Sequence, residues 1–276
     1  MKLTLLVALT MIAFAANSVL NKIGLEGGAM DPMSFALIRL ASGAAALCAM
    51  VWLSGRRVPL MQRSRVAGAV SLAVYMIGFS LAYQTLDAGV GALILFGGVQ
   101  VTIFAVIVAR GEAVPRARWQ GAGVALIGLA FLLLPGANAP HLLGALLMGA
   151  AAVGWGFYTL AGRVEADALG ATAGNFVWAT LGMGICVLAL GGDPSVTQAG
   201  TVYAVISGMI TSAMGYALWY RILPQLEASI AGIAQLTVPI IALAGGMIFL
   251  GETLTLTFIF ASALVLGGVA WSLKRG

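Results

Sequence analysis

Between Arg65 and Arg110 the chain runs for 44 residues with a single charged side chain, Asp87. That stretch is two apolar runs of helical-span length, split by one acid, and about 20 such residues in a helix match the ~30 Å apolar thickness of a bilayer. The pattern recurs along the whole chain. Only 8% of the 276 residues are charged and 61% are hydrophobic, where soluble domains carry roughly 25% and 45–50%. So few charges cannot clothe a water-facing surface. The runs are too long for strands and lack an alternation of period two. Backbone polar groups in lipid must be satisfied within the segment. The fold expected is all-α, a polytopic membrane protein with short loops and no room for a soluble domain.

Apolar runs bounded by Gly, Pro or charge predict ten spans, at about 3–22, 33–53, 66–86, 88–109, 118–135, 142–162, 172–190, 201–220, 228–249 and 256–273. Lys2 and the run ending Ala13-Phe14-Ala15 have the outline of a signal peptide and are read as the first span. Small residues spaced by four, as in Gly121/Ala125, Ala145/Gly149, Ala152/Gly156 and Gly208/Ser212, are expected to let helices approach closely. Cys48 and Cys186 both fall in apolar runs and read as small buried residues, without a disulfide or a metal site.

Basic residues orient the spans. Lys2, Arg56, Arg57, Arg63, Arg65, Arg110, Arg116, Arg118, Arg163, Arg221, Lys274 and Arg275 fall on one side if ten spans alternate, and Lys22 alone falls on the other. That bias predicts both termini in the cytoplasm. It also explains the net charge of +5 without nucleic acid, for which no basic patch with interleaved aromatics exists.

The halves 1–136 and 140–276 align at an offset near 140, as two five-helix repeats. Phe14 and Lys22 fall on Trp155 and Arg163, Tyr83 on Tyr220, Gly111-Glu112 on Gly251-Glu252, and Gly128 on Gly268. Five is odd, so the second repeat enters the membrane from the opposite side. Inverted repeats favour carriers that alternate access around a midplane site.

At these positions the chain resembles the drug/metabolite transporter superfamily in its ten-helix EamA-type branch. The resemblance rests on Phe14-Ala15-Ala16-Asn17, Gly154-Trp155-Gly156-Phe157-Tyr158, Arg39, Leu81-Ala82-Tyr83-Gln84, Leu218-Trp219-Tyr220, and the Gly-Glu pairs with Pro239 thirteen residues before Glu252. It covers essentially the whole chain. Val99 stands where the second repeat has Pro239, so a kink in span four would need Gly97-Gly98. The resemblance implies export of small metabolites, commonly amino acids, across the bacterial inner membrane. Within the branch the chain is similar to the YddG-type exporters of aromatic amino acids.

Polar and aromatic groups at lipid depth either pack or face a cavity. Tyr75, Phe79 and Tyr83 form one helical stripe; Phe96 and Gln100, Trp155 and Tyr158, Asn175 and Trp178, Ser212 and Tyr216, and Gln235 and Pro239 are further pairs. With Asn17 and Arg39, all of these but Asn175, Ser212 and Pro239 are the candidate substrate-binding residues. Such walls suit amphipathic molecules, amino acids with apolar side chains among them. Pro239 is expected to kink span nine. Trp119, Trp219 and Tyr203, near span ends, are expected in the interfacial belt. Arg39 either meets a carboxylate, pairs with loop acids or snorkels outward. The site is expected where spans three, four, eight and nine meet.

The absences narrow the function. Asp31, Asp87, Glu112, Asp193, Glu227 and Glu252 all fall at or beyond span ends, and His141 is in a loop. Proton and sodium sites usually use buried carboxylates, which favours a facilitator or exchanger. A phosphorylated-metabolite carrier of the same superfamily would need several cavity cations; a multidrug carrier remains a second alternative. A membrane enzyme has no catalytic constellation to use, and a channel no filter loop. No cofactor is implied. The partners expected are lipid and a small-molecule substrate, with monomer and homodimer both open.

Overall fold

Helix boundaries follow local chemistry. Asp31 caps the second helix by accepting hydrogen bonds from the Met33 and Ser34 amides at 3.1 and 2.9 Å, with Pro32 supplying the first helical residue. Asp167 does the same for the seventh, accepting from the Gly170 amide at 3.0 Å, and Thr197 for the eighth through Gly200. Gly55, Gly111 and Gly251 follow helices two, four and nine with φ near +70°, the left-handed conformation that ends a helix and that glycine adopts without strain. Gly111 and Gly251 thus terminate their helices in the same way.

The computed structural model describes residues 2–111, 113–134, 139–162, 165–190, 195–222, 225–226 and 234–274. Its long helices are α1 (Lys2–Leu25), α2 (Pro32–Leu53), α3 (Ser64–Ala82), α4 (Ala88–Ala109), α5 (Arg116–Leu132), α6 (Leu142–Gly162), α7 (Ala168–Leu190), α8 (Gln198–Ile222), α9 (Val238–Leu250) and α10 (Leu256–Lys274). Seven of these, α1 to α4 and α6 to α8, are long and apolar enough to cross a membrane; α9 and α10 are apolar and shorter, and α5 has 17 residues. The large apolar side chains turned outward, such as Ile185, Leu188, Ile248 and Phe249, fit a lipid environment. The chain is an all-α, polytopic membrane protein.

The most extensive packing joins α5 to α10, α3 to α6 and to α7, α1 to α8, α2 to α7 and to α8, α4 to α6 and to α9, and α1 to α9. Exchanging each helix with the one five places along turns α3/α6 into α8/α1, α4/α6 into α9/α1, and α2/α8 into α7/α3, all of them packed pairs. At the α5/α10 crossing a Cβ on Gly121 would lie 2.4 Å from the Gly268 carbonyl oxygen, and one on Gly268 2.6 Å from that of Gly121, so backbone meets backbone there. Gly149 has nothing within 4 Å and is not part of a tight crossing.

Span nine is interrupted beside Pro239, as expected of a kink: Ala234-Gln235 are helical, Leu236-Thr237 form a turn, and Pro239 sits in the first turn of α9, where its missing N–H leaves no bond broken. Several expectations are corrected. The first residues expected in span nine, and Glu112, Arg163, Asp193, Glu227 and Arg275, lie outside the described residues. Cys48 and Cys186 are free, but Cys186 is exposed on the apolar surface of the bundle and not buried. The α4 helix is continuous through Gly97-Gly98. The π-helical stretch Ser207–Met214 inside α8 was not anticipated.

Candidate functional site

The two ends of the bundle differ. One, here the basic end, carries Arg56, Arg65, Arg118, Glu165 and Arg221; the far end carries Lys22, Asp31, Asp87 and Glu252. A cavity of about 620 Å³ occupies the basic half, walled by α1, α4, α5, α6, α8 and α10. That is the size of a small-molecule site. Its inner limit is a set of rings, Phe14, Trp155, Tyr216 and Trp219, with centroids 5.0 to 6.4 Å apart. Gln100, Thr159, Tyr220 and Gln235 add uncharged polar groups to the wall, and Arg118 and Glu165 line its mouth.

At that mouth Arg65 is 1% exposed and donates to Glu165, to Ser64 Oγ at 2.9 Å, and to Asn175 Oδ1 and Gln62 Oε1 at 3.4 Å. A second pair, Arg56 to Asp167 at 2.9 Å, lies in water beside it. The loop before α3 is thereby tied to the loop before α7.

The far half is filled. From Tyr83 the rings of Phe79, Tyr75 and Trp155 follow one another at 4.7, 5.2 and 4.9 Å between centroids. Beside this column lies a polar chain through four helices. Asn17 Oδ1 on α1 accepts from Ser207 Oγ at 2.9 Å, Ser212 Oγ at 3.3 Å and Thr211 Oγ1, all on the π-helical stretch of α8. Ser212 Oγ accepts from Arg39 Nε on α2 at 3.0 Å, and Arg39 Nη2 donates to the Tyr75 hydroxyl on α3 at 3.2 Å. At the far surface Glu252 accepts from the amides of Ala88 and, at 3.3 Å, Gly89, so the loop after α9 caps the start of α4. Burial pushes the Glu252 carboxyl above its ordinary range, against the lowering effect of the two amides.

Of the residues expected to line a cavity, Gln100, Trp155, Tyr216 and Gln235 do so. Tyr75, Phe79 and Tyr83 do not; they are buried in the ring column. Phe96 is buried in the core, and Tyr158 is stacked behind Trp155 at 5.4 Å. Asn17 and Arg39 lie in the polar chain and not in the wall. Arg39 neither pairs with a loop acid nor snorkels, for it is 0% exposed. Trp178 is corrected to the surface, 42% exposed, donating to the Leu60 carbonyl at 2.9 Å. The cavity takes its wall from α4, from α8 and from Gln235 of the expected ninth span, as expected, but from α1, α5, α6 and α10 in place of α3. Trp219 lines the cavity and does not belong to the belt, whereas Trp119 is exposed as a belt residue would be. Tyr220, Thr159 and Glu165 were missed as wall residues. Tyr220 had a signal in its repeat alignment with Tyr83; Thr159, one turn from Trp155, had none.

A sequence profile described as the EamA-like transporter family matches residues 142–274. An uncharacterised protein of Pseudomonas aeruginosa is 45% identical over 96% of this chain and 92% of its own. The chain belongs to the EamA-like transporter family. It is similar, at 26% identity over 95% of this chain and 90% of the other, to a protein of Streptantibioticus cattleyicolor named "Probable terminal-alkyne amino-acid exporter". At 24% identity, over 96% and 92% of the two chains, it is similar to a Salmonella typhimurium protein named "Probable amino-acid metabolite efflux pump". A solved crystal structure, 19% identical, superposes with a TM-score of 0.67 over 96% of this chain and 97% of the other, which shows a shared fold. The protein is thus a multi-pass membrane transporter, in keeping with the family and with the names of the last two of these relatives, which are those of transporters and not of enzymes.

Proposed function

We propose that this EamA-like transporter exports small amphipathic metabolites, foremost amino acids with aromatic or other apolar side chains, across the bacterial inner membrane, by alternating access between two inverted repeats, 1–136 and 140–276. The carrying observation is the cavity, in which a wall of aromatic rings meets the uncharged polar groups of Gln100, Thr159, Tyr220 and Gln235. Rings accept an apolar side chain, and amide and hydroxyl groups orient a zwitterion without demanding a net charge. Arg118 and Glu165 at the mouth are of opposite sign, which disfavours a phosphorylated substrate that would need a cluster of cations. The relatives named as amino-acid exporters support the same reading.

The basic end faces the cytoplasm on this reading, by the bias of Arg and Lys towards cytoplasmic loops. The conformation is then open inward and closed outward. The exchange pattern among packed helix pairs supports the inverted repeat, and such a repeat allows the mirror state, with the cavity formed in the far half around Tyr75 and Phe79. Among the described residues no acid lies within a long helix, which supports a facilitator or exchanger. Counterflow in proteoliposomes with labelled Trp, Phe, Met and Thr tests the reading. Exchange of at least one of them without an imposed pH gradient, weakened in Gln100→Ala, is the expected result. Exchange of a phosphorylated metabolite or a cationic drug alone, or an absolute need for a pH gradient, would overturn it.

A further inference from the structure

Arg39 is a cation buried in the far half with its charge unmatched. Its side chain is wholly buried on α2, about 10 Å from the far end of that helix by rise. Nε and Nη2 are held by Ser212 Oγ and the Tyr75 hydroxyl, both neutral. Its guanidinium carbon lies 5.6 Å from the Tyr75 ring centroid and 5.0 Å from that of Phe79. Nη1 is buried with no hydrogen-bond partner. Among the described residues, neither ion pair includes Arg39. A charge taken out of water without a counter-charge is costly, and the two rings return only part of that cost.

A purely structural role leaves this arrangement unexplained. Arg65, the other fully buried arginine, shows the structural solution, since it has a carboxylate beside it. Arg39 has the same need and no carboxylate; each arginine has one buried nitrogen without a partner, Nη1 of Arg39 and Nε of Arg65, so the missing counter-charge is what sets Arg39 apart. The geometry also connects it to the cavity. Tyr75 holds Nη2 with its hydroxyl and packs its ring 4.9 Å from Trp155, which lines the cavity. Ser212 stands one turn before Tyr216, another residue of the cavity wall. Trp155 and Tyr216 therefore form a partition, with the cavity on one side and the guanidinium on the other. A planar guanidinium offers paired donors that match a carboxylate.

We infer that Arg39, positioned by Ser212 and Tyr75, is the carboxylate-binding site of the carrier, closed off by Trp155 and Tyr216 in this conformation and occupied by the substrate's carboxylate once that partition moves. The inference deepens the proposed amino-acid transport, on which its choice of substrate rests. A ligand with rings but no carboxylate can enter the cavity, yet it cannot neutralise Arg39. Carriage therefore selects for the carboxylate even though the cavity wall itself does not.

The test is competition against labelled tryptophan counterflow by paired compounds: tryptophan with tryptophan amide, and indole-3-propionate with its amide. Each pair is run on the full-length protein at high and at low chloride, with sucrose balancing the osmolarity. The wild type should favour each carboxylate by about tenfold or more over its amide, the scale of one charge-assisted contact. Arg39→Gln should reduce that preference to about twofold or less while the amides still compete, and Arg39→Lys should fall between, a point charge replacing a fork. Tyr75→Phe, which removes one hydroxyl and keeps the ring, should reduce the preference partly; it decides the matter if the Arg39 variants do not fold. An unchanged preference in these variants overturns the inference, as does a wild type that ignores the carboxylate. A preference that vanishes when chloride is lowered also overturns it, since the anion on Arg39 is then inorganic. If no amino acid exchanges in the wild type, the amino-acid reading fails. Direct binding of indole-3-propionate against its amide to the purified protein then decides the Arg39 site alone.

Discussion

The basic half and the far half of the bundle are made from the same materials and used differently. Each has a set of aromatic rings, a buried arginine and a loop carboxylate. In the basic half Arg65 is matched by Glu165, and the rings stand around a cavity of about 620 Å³. In the far half Arg39 is unmatched, and the rings of Tyr75, Phe79 and Tyr83 close on one another. The contrast teaches which half is at rest. The arginine with a carboxylate sits where the cavity is, and the one without sits where the rings close. On the proposed mechanism, an anion reaching Arg39 would shift the balance between the two halves.

The largest expected effect comes from opposing the closest packing of the far half. A Cβ on Gly208 would lie 2.0 Å from Ser42 Oγ and 2.3 Å from the Arg39 carbonyl oxygen. Gly208→Val is expected to cost about 3 kcal/mol, the upper range for overpacking, read as a fall in melting temperature in detergent. Gly149→Ala, in open space, should leave it within a degree or so, given the small size of unconstrained changes. Equal effects would mean that the α2/α8 crossing is loose.

Next is the matched arginine. Glu165→Gln leaves Arg65 buried beside a neutral amide and should cost about 2 kcal/mol, below the usual range for a buried pair because the Glu165 side chain is 19% exposed. A melting temperature equal to wild type would remove the distinction between the two arginines.

The comparison sharpens at Glu252. Glu252→Ala removes the acceptor for two amides at the start of α4 and should loosen far-end closure by about 1 kcal/mol, the worth of a helix cap. Pulsed spin-label distances between Gln84→Cys and Leu254→Cys, both exposed on the far end, would lengthen in a larger fraction of molecules. The pH dependence follows from the raised carboxyl. The closed form holds the Glu252 proton more tightly than a form with Glu252 in water, so protons favour closure. Closure should therefore strengthen as pH falls from the raised value towards the ordinary carboxylate range, and be flat above it. Asp87 raises and Lys22 lowers the same group, so Asp87→Asn should move the transition to lower pH. Glu252→Gln should stay closed and lose the dependence; a pH response that survives it assigns the proton elsewhere.

The smallest effect is expected from Arg56→Ala. Its pair with Asp167 has side chains 45% and 39% exposed, and such pairs contribute about 0.5 kcal/mol or less. A loss as large as that of Glu165→Gln would mean that the loops before α3 and α7 are held mainly at the surface.

Much of the fold was legible because lipid imposes one rule, apolar runs ended by charge and glycine. The bounds of α4 and α6 follow directly from 88–109 and 142–162. Gly111 and Gly251 announced themselves as paired helix ends, and both have positive φ. The site was harder. Periodicity put Tyr75, Phe79 and Tyr83 on one face, and they do share it, but no sequence pattern states which half is open. Trp219 near a helix end looked interfacial because its neighbours on α1 and α6 come from distant parts of the chain. The π-helical stretch of α8 that turns Ser207, Thr211 and Ser212 towards Asn17 has no simple sequence signal.

The account rests on a cavity open at the basic end alone, with that end in the cytoplasm. Cysteine accessibility tests this most directly. On a background with Cys48 and Cys186 replaced by alanine, Thr159→Cys in the cavity wall is labelled with a membrane-impermeant maleimide in inside-out and right-side-out vesicles. Rapid labelling in inside-out vesicles is predicted, with labelling from the outer face slower by about tenfold or more, the population ratio of about 1.4 kcal/mol between the two states. Ser80→Cys, buried beside Asn21 in the far half, should resist from both faces. Faster labelling of Thr159→Cys from the outer face would contradict the account.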